Sequence, residues 1–324
     1  MRERRAGYVV GLGWRRSLGW KRAPGGSATC CRRRQPLCPA SPRRLLRMSG
    51  VNGGLDYEIS WNQVPDEFRQ PMQYIYKGPD SPAAFVEAMR DITRRLEGAG
   101  SATALAPETV MAFLVDSLGY NNPVAARLAQ DVLVRVYGAR AVPTLLRGVA
   151  ALNYSVNAYA LRVLAQLQDA QVAAAVWPVA LQCARRGPIP NVRRAAIRCL
   201  GSLRYVERES ETADGSDGPD GRTMRREALE ALLLLMRDEP DWSIRYAAVA
   251  ASVALVNRAA ASLAAAERAM VSETVQYVAR DDTDETVRLR AAHALRQLNG
   301  EAEWEWATSS PSPSAPHPQT RPAA

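Results

Sequence analysis

The stretch Asn191-Val192-Arg193-Arg194-Ala195-Ala196-Ile197 decides the fold, because similar stretches occur four more times along the chain. Each copy has a branched anchor residue near its start: Val124, Val156, Val192, Ile244 and Val287. The intervals between anchors are 32, 36, 52 and 43 residues. Repeats of this length are typical of stacked helix pairs, each of which buries its apolar face against the next pair.

The copy Ser155–Leu167 shows why a helix is predicted. Its apolar residues recur at three-to-four spacing and so share one helical face: Val156, Ala160, Val163, Leu164 and Leu167. An alanine four residues past the anchor recurs in four copies, and we expect it where neighbouring helices cross, since a larger side chain would separate them: Ala160, Ala196, Ala248 and Ala291.

The chain of 324 residues is therefore predicted to be all-α, an α-solenoid of five to six helix pairs over residues 81–300. Residues 49–80, rich in aromatics and proline, are expected to form an irregular lead-in. The acidic, glycine-rich residues 207–221 are predicted to be a disordered insertion that explains the 52-residue interval. A disordered Pro/Ser-rich tail is expected over 301–324.

The net charge of +9 is concentrated at one end of the chain. Residues 1–48 hold 13 of the 42 basic residues and one of the 33 acidic residues, so the remainder is slightly acidic. The basic head is interpreted as a nucleic-acid-binding arm, a plastid transit peptide, or sequence upstream of a true start at Met48. The last of these is preferred, and near neutrality after Met48 argues against nucleic-acid binding.

Cysteine and histidine give no metal-ligand spacing, so no metal site is expected. Cys183 and Cys199 lie at apolar positions of predicted helices and are expected to be buried, reduced thiols. No apolar run reaches the roughly 18 residues of a membrane span, and a soluble protein is expected.

Several segments, in order, resemble one family of HEAT-repeat proteins. They are Leu118–Pro123, Ala141–Leu146 followed by Asn153–Arg162, Pro190–Tyr205, and Asp241–Val249. This series, over roughly residues 107–298, resembles the F-type subunit of the E/F phycobilin lyases. An Asn-His-Cys-Gln motif, which marks an isomerising relative, is absent.

The resemblance implies an enzyme subunit that works with an E-type HEAT-repeat partner. Together they would attach a linear tetrapyrrole, phycocyanobilin in the first instance, through a thioether to a cysteine of a phycobiliprotein α subunit, here expected to be phycocyanin. The bilin is then a substrate rather than a prosthetic group, and attachment without isomerisation is expected. The implied location is the cyanobacterial cytoplasm, or the plastid stroma if the head is a transit peptide.

A bilin is a flat π-system with two propionates, so its binding requires aromatic surface and guanidinium groups. The resemblance points to nine bilin-binding candidates: Tyr154, Tyr159, Arg162, Arg193, Arg194, Asp241, Trp242, Arg245 and Tyr246. The tyrosines and the tryptophan would border the chromophore, the arginines would pair with propionates, and Asp241 would contact pyrrole nitrogens. No catalytic residue is assigned.

Structural roles remain open for several of these residues. The arginine after the anchor (Arg193, Arg245, Arg288) is a ladder position in such repeats and can bind carbonyls or acids of the adjacent repeat. Trp242 and Tyr246 can pack between repeats, and Asp241 can cap a helix. A non-enzymatic scaffold or adaptor in phycobilisome assembly or degradation is the alternative function.

Overall fold

The computed structural model describes residues 61–98, 108–120, 122–206, 220–259 and 262–301. Within them the secondary structure is helical. The α-helices are α1 Asp66–Lys77, α2 Pro82–Gly98, α3 Glu108–Ser117, α4 Pro123–Val132, α5 Val142–Ala150, α6 Tyr154–Leu164, α7 Ala170–Arg186, α8 Pro190–Ser202, α9 Gly221–Asp238, α10 Trp242–Arg258, α11 Ala265–Asp281 and α12 Glu285–Leu298. Trp61–Gln63 and Gly138–Ala141 are short 3-10 helices, and Leu133–Tyr137 is a π-helical turn.

Consecutive helices pair, and the pairs stack, which confirms the predicted α-solenoid. The even-numbered helices form one layer, in which α6, α8, α10 and α12 each pack on the next; the odd-numbered helices from α3 to α11 form the other layer. Six pairs are present in the described part of the chain, in agreement with the expected five to six. The side chains between the layers are almost entirely aliphatic, as an apolar helical stripe requires.

The small residues lie where the even-numbered helices approach most closely. Ala160, Ala196, Ala248 and Ala291 are all fully buried, as expected for residues at helix crossings. Gly201 on α8 lies against α10 so closely that a Cβ atom there would come within 2.6 Å of the Ala251 carbonyl oxygen. The spacing between these helices therefore depends on the absence of side-chain volume.

Most even-numbered helices begin at an Asn or Asp that caps the free amide groups of the first turn. Asn153 Oδ1 accepts from the amide of Ser155 at 2.9 Å, Asp241 Oδ1 from that of Ser243 at 2.8 Å, and Asp284 Oδ1 from that of Thr286 at 2.9 Å. These caps determine where the helices begin, and all of them lie at the N-terminal edge of the even layer.

The prediction of an irregular lead-in over residues 49–80 is wrong for its second half, which contains α1, while residues 49–60 lie outside the described residues. Pro65 stands just before α1 and Pro71 lies inside it, and these prolines weighed against a helix in the sequence. The buried residues Phe68, Met72 and Ile75 keep helical spacing, and their burial against α2 outweighs the backbone hydrogen bond lost at Pro71.

The end of the expected insertion 207–221 also needs correction, because Asp220 precedes α9 and Gly221 is its first residue. Gly221 is buried so tightly that a Cβ atom would lie 2.0 Å from the Val206 carbonyl oxygen, which ties the start of α9 to the end of the preceding pair. Residues 207–219, the basic head and the Pro/Ser-rich tail from residue 302 onward lie outside the described residues.

Candidate functional site

Two of the nine candidates, Arg193 and Arg245, are engaged in contacts between repeats. Arg193 donates to the carbonyl of Ala184 at the end of α7, and its Nη1 and Nη2 bind Glu239 at 2.9 and 2.5 Å. Glu239 follows α9, in the next helix pair. The guanidinium therefore joins two successive pairs, the ladder role that the sequence left open.

Arg245 repeats this arrangement one pair further along. Its Nη1 donates to the carbonyls of Glu239 and Pro240, and its Nε and Nη2 bind the carboxylate of Asp282. Burial is the largest single effect on Asp282 and raises its pKa, but the hydrogen bonds from Arg245 and from the Asp284 amide, together with the charges of Arg245 and Arg288, hold the pKa of Asp282 below its usual range. Bilin binding is therefore not proposed for Arg193 or Arg245.

The same position carries a backbone-directed donor in two further repeats, whereas the first copy has Ala125 there. Asn157 Nδ2 donates to the carbonyls of Gly148 and Ala151 at 2.8 Å, and Arg288 Nη1 donates to that of Asp282 at 2.7 Å. The residue after the anchor thus bonds the chain that ends the preceding odd-numbered helix. This common geometry explains why an arginine there serves the fold.

Four other candidates come together on one face of the even layer. They are Tyr159 and Arg162 on α6, Arg194 on α8 and Tyr246 on α10, and all four are partly exposed. Two arginines that the sequence analysis did not select, Arg198 on α8 and Arg290 on α12, belong with them. We call this set of six residues the arginine–tyrosine face.

Cation–π contacts order the two ends of this face. The guanidinium carbon of Arg162 lies 4.9 Å from the centre of the Tyr159 ring, and that of Arg290 lies 5.7 Å from the centre of the Tyr246 ring. Arg162 Nη2 also approaches Asn191 Oδ1 at 3.5 Å, the outer limit of a hydrogen bond. Planar guanidinium groups and tyrosine rings therefore lie side by side on this face.

Arg198 lies at the centre of the arginine–tyrosine face. Burial lowers its pKa, and the nearby charges of Arg162, Arg194 and Arg290 lower it further, while Tyr246 acts in the opposite direction. Arg198 therefore lies close to three other guanidinium groups, carried by α6, α8 and α12. A face of this kind favours an anion that can be shared between several forks.

The remaining candidates lie at the edge where α6 and α10 begin. Tyr154 and Trp242 are the first residues of these helices, and their side chains are 47% and 48% exposed. About half of the Trp242 surface is therefore exposed, which is more than expected for a tryptophan packed between repeats. Tyr246 is half-buried against the core and partly follows that alternative.

Asp241 is the N-cap of α10, the structural role that the sequence left open. Its Oδ1 accepts from the amide and the hydroxyl of Ser243 at 2.8 and 2.7 Å. The hydroxyl bond holds the pKa of Asp241 below its usual range, and the charge of Arg194 acts in the same direction. The carboxylate is therefore ionised at neutral pH and lies near the arginine–tyrosine face.

The two missed arginines had a signal in the repeat. Arg162 stands six residues past the anchor Val156, and the same offset from Val192 gives Arg198. Tyr159 stands three residues past its anchor, and the same offset from Val287 gives Arg290. Comparing the copies position by position would have found both.

The cysteines of the described chain do not form a nucleophilic site. Cys199 is fully buried, and burial raises the pKa of its thiol to about 12. Burial also raises the pKa of Cys183. A protonated thiol is a weak nucleophile. The described residues contain no group of three or more His, Cys, Asp or Glu side chains placed to hold a metal ion.

This chain, an all-α repeat protein with a basic, aromatic face, is similar in sequence to several known proteins. It is 37% identical to the phycocyanobilin lyase subunit beta of Nostoc sp. PCC 7120 over 52% of this chain and 78% of that one. It is 32% identical to the phycobilisome maturation protein of Synechococcus elongatus over 66% and 95%, and to the phycocyanobilin lyase subunit beta of Thermosynechococcus vestitus over 66% and 91%. No family model matches the chain.

The chain therefore belongs to the family of phycocyanobilin lyase beta subunits, the F-type lyase subunits. Among solved structures, the complex of CpcE and CpcF of phycocyanin lyase from Nostoc sp. PCC7120 matches with a TM-score of 0.48 and 33% identity, over 58% of this chain and 98% of that chain. In the part of the chain that the structure describes, no helix is long and apolar enough to cross a membrane.

Proposed function

We propose that this chain is the F-type subunit of a phycobilin lyase. With an E-type partner subunit it attaches a linear tetrapyrrole, phycocyanobilin, through a thioether to a cysteine of a phycobiliprotein α subunit, that of phycocyanin. The bilin is a substrate, attachment proceeds without isomerisation, and the site of action is the cyanobacterial cytoplasm. Membership of the phycocyanobilin lyase family and the chemistry of the arginine–tyrosine face support this proposal.

The arginine–tyrosine face is the observation that carries the proposal. A bilin presents two propionates on an extended π-system, and this face presents guanidinium forks beside phenol rings. In the proposed complex the propionates lie between Arg162, Arg194 and Arg198, where an anion relieves the mutual repulsion of the cations. The rings of Tyr159 and Tyr246 border the chromophore, with Arg290 beside Tyr246.

Asp241, Trp242 and Tyr154 extend the proposed site toward the edge where α6 and α10 begin. The bonds that cap α10 use Oδ1 of the ionised Asp241 carboxylate, and in the proposed complex its Oδ2 accepts from pyrrole N–H groups. Trp242 and Tyr154 present exposed aromatic surface along which the bilin can continue. Capping and ligand binding are therefore compatible in Asp241.

The chemistry required of this chain is mainly positioning. Thioether formation adds the acceptor's sulfur to one carbon of a bilin double bond and a proton to the other, so no atom is lost and no oxidant is consumed. The sulfur comes from the acceptor, in keeping with the buried, protonated Cys199. Holding the bilin extended against the acceptor thiolate converts an encounter of free molecules into a reaction within a complex.

The test is co-expression of this chain with an E-type subunit, phycocyanin α subunit and a phycocyanobilin-producing pathway, followed by denaturing gels stained with zinc for covalent bilin. The proposal requires a fluorescent α-subunit band that is lost when this chain is omitted. An Arg162→Gln/Arg198→Gln variant examines the face, with Arg127→Gln, an exposed arginine on α4, as the matched control. Absence of the band in the complete system would refute the proposal.

A non-enzymatic role in phycobilisome assembly is the second candidate, and one comparison favours it. The relative named phycobilisome maturation protein is matched over 95% of its length. A scaffold would bind the α subunit without transferring bilin. Co-purification of this chain with an unmodified α subunit, in the presence of the E-type partner and bilin, would support this second function over the first.

A further inference from the structure

A basic pocket lies at the edge where the even-numbered helices end, and it shares no residue with the arginine–tyrosine face. Its volume is about 400 Å³, a size suited to a small molecule. Three arginines line it: Arg204 after α8, Arg225 on the first turns of α9 and Arg258 at the end of α10. None of the lining residues that the structure describes is Asp or Glu.

Arg225 forms the fixed back of the pocket. It is 1% exposed, and its Nη1 donates to the Ser262 hydroxyl at 2.9 Å and its Nη2 to the Ser262 carbonyl at 3.3 Å. Glu267 Oε2 lies 3.8 Å from Nη2. Arg225 is therefore a held structural cation, and the proposal does not depend on its binding a ligand directly.

Arg258 and Arg204 are the two arginines available to a ligand. Arg258 Nη1 donates to the side-chain carbonyl of Gln168 at 2.8 Å, a neutral partner, and neither arginine forms an ion pair within the described part of the chain. Arg258 is exposed, so its guanidinium is accessible to a ligand from solution. A carboxylate or phosphate could accept charge-assisted hydrogen bonds from it.

The wall beside these arginines is apolar and aromatic. Leu203, Leu255 and Tyr205 line the pocket, and the Tyr205 hydroxyl is turned away to the Leu200 carbonyl at 3.0 Å. The ring of Tyr205 is thereby fixed. Two cations beside a fixed hydrophobic wall suit a ligand with an anionic group and an apolar body.

We propose that this pocket binds a small anionic ligand through a carboxylate or phosphate group, held by Arg204 and Arg258 with its body against Leu203, Tyr205 and Leu255. The alternative is that these arginines only complement the negative ends of α8 and α10. The two differ in one respect: a purely structural role gives no stabilisation by added oxyanions beyond that of chloride at equal ionic strength.

The experiment is thermal unfolding of the full chain with sodium succinate or inorganic phosphate, each compared with sodium chloride at matched ionic strength. Binding at saturation should raise the midpoint by about 2 to 4 °C for succinate, phosphate or both. The Arg204→Gln/Arg258→Gln variant should lose this rise, while Arg127→Gln should keep it. Arg204→Gln alone, on an exposed side chain, provides a variant that leaves packing intact.

The chain itself is a second source of the same chemical group. The sequence between Val206, which lines the pocket, and Asp220 contains five acidic residues. A variant with these five residues changed to Gln or Asn separates the sources. If succinate or phosphate raises the unfolding midpoint of the unaltered chain, the pocket binds an external ligand. If they raise it only in the neutralised variant, the chain's own carboxylates compete for the pocket. Equal effects of chloride and oxyanions in both proteins would overturn the proposal.

Discussion

Arg245 on α10 and Asp282 after α11 form a two-point ion pair: Nε and Nη2 of the arginine each donate to one carboxylate oxygen at 2.8 Å. Both side chains are more than nine-tenths buried. The same guanidinium binds the carbonyls that follow α9, so one side chain joins the last two helix pairs. An arginine that the family resemblance suggested for substrate is thus occupied by the fold.

Replacement of Arg245 by alanine should destabilise the protein strongly, by about 3 kcal/mol or more, because it leaves the Asp282 carboxylate buried without its partner. Equilibrium urea unfolding measures the change in the free energy of unfolding. Arg280→Ala is the control, since the pair Arg280–Asp281 is exposed to solvent, and no measurable change is expected. Equal unfolding midpoints for the Arg245→Ala and Arg280→Ala variants would contradict this role.

Acid should weaken the same contact. The pKa of Asp282 is lower in the folded chain than in the unfolded chain, so its ionisation stabilises the fold above pH about 4. This contribution is lost as the pH falls through the folded pKa. The difference in unfolding free energy between the wild type and Asp282→Asn should therefore shrink between pH 6 and about pH 2.5. A constant difference would show that ionisation of Asp282 is not involved.

Gly201→Ala tests the close packing of α8 on α10. The added methyl group would meet the carbonyl oxygen, Cα and Cβ of Ala251 at 2.6 to 2.9 Å, so the two helices must move apart, at a cost of about 1 to 3 kcal/mol. Gly98→Ala is the matched control, because no atom lies within 4 Å of a Cβ atom there. The thermal unfolding midpoint should fall for Gly201→Ala and stay unchanged for Gly98→Ala.

The Arg162→Gln/Arg198→Gln variant should lower the rate of bilin transfer about 10-fold or more, because two charge-assisted contacts to propionates are removed. The stability of the fold should be unchanged or slightly higher, since repulsion within the arginine–tyrosine face is relieved. Initial rates and urea midpoints, measured together, separate binding from folding. If the double variant transfers bilin at the same rate as Arg127→Gln, the arginine–tyrosine face is not part of the bilin site.

The solenoid was predictable because its determinants are local. The anchors Val156, Val192 and Ile244 and the alanines four residues later lie at the same register in each copy, and all are buried. The α1 helix was missed because the effect of a proline is also local, whereas the burial that compensates for Pro71 comes from contact with α2. Sequence periodicity does not report such compensation.

The candidate site was predictable only in part. The sequence selected Tyr159, Arg162, Arg194 and Tyr246, and the fold brings these four together. It also selected Arg193 and Arg245, because residue type alone does not show whether a guanidinium meets a ligand or an acid 46 or 37 residues away. That distinction depends on how successive pairs are stacked.

The intact mass of the phycobiliprotein α subunit, measured after reaction with bilin, this chain and an E-type subunit, tests the central proposal most directly. We expect a gain equal to one whole bilin, with no other change in mass, and no gain when this chain is omitted. An unchanged mass in the complete system, or the same gain without this chain, would contradict it.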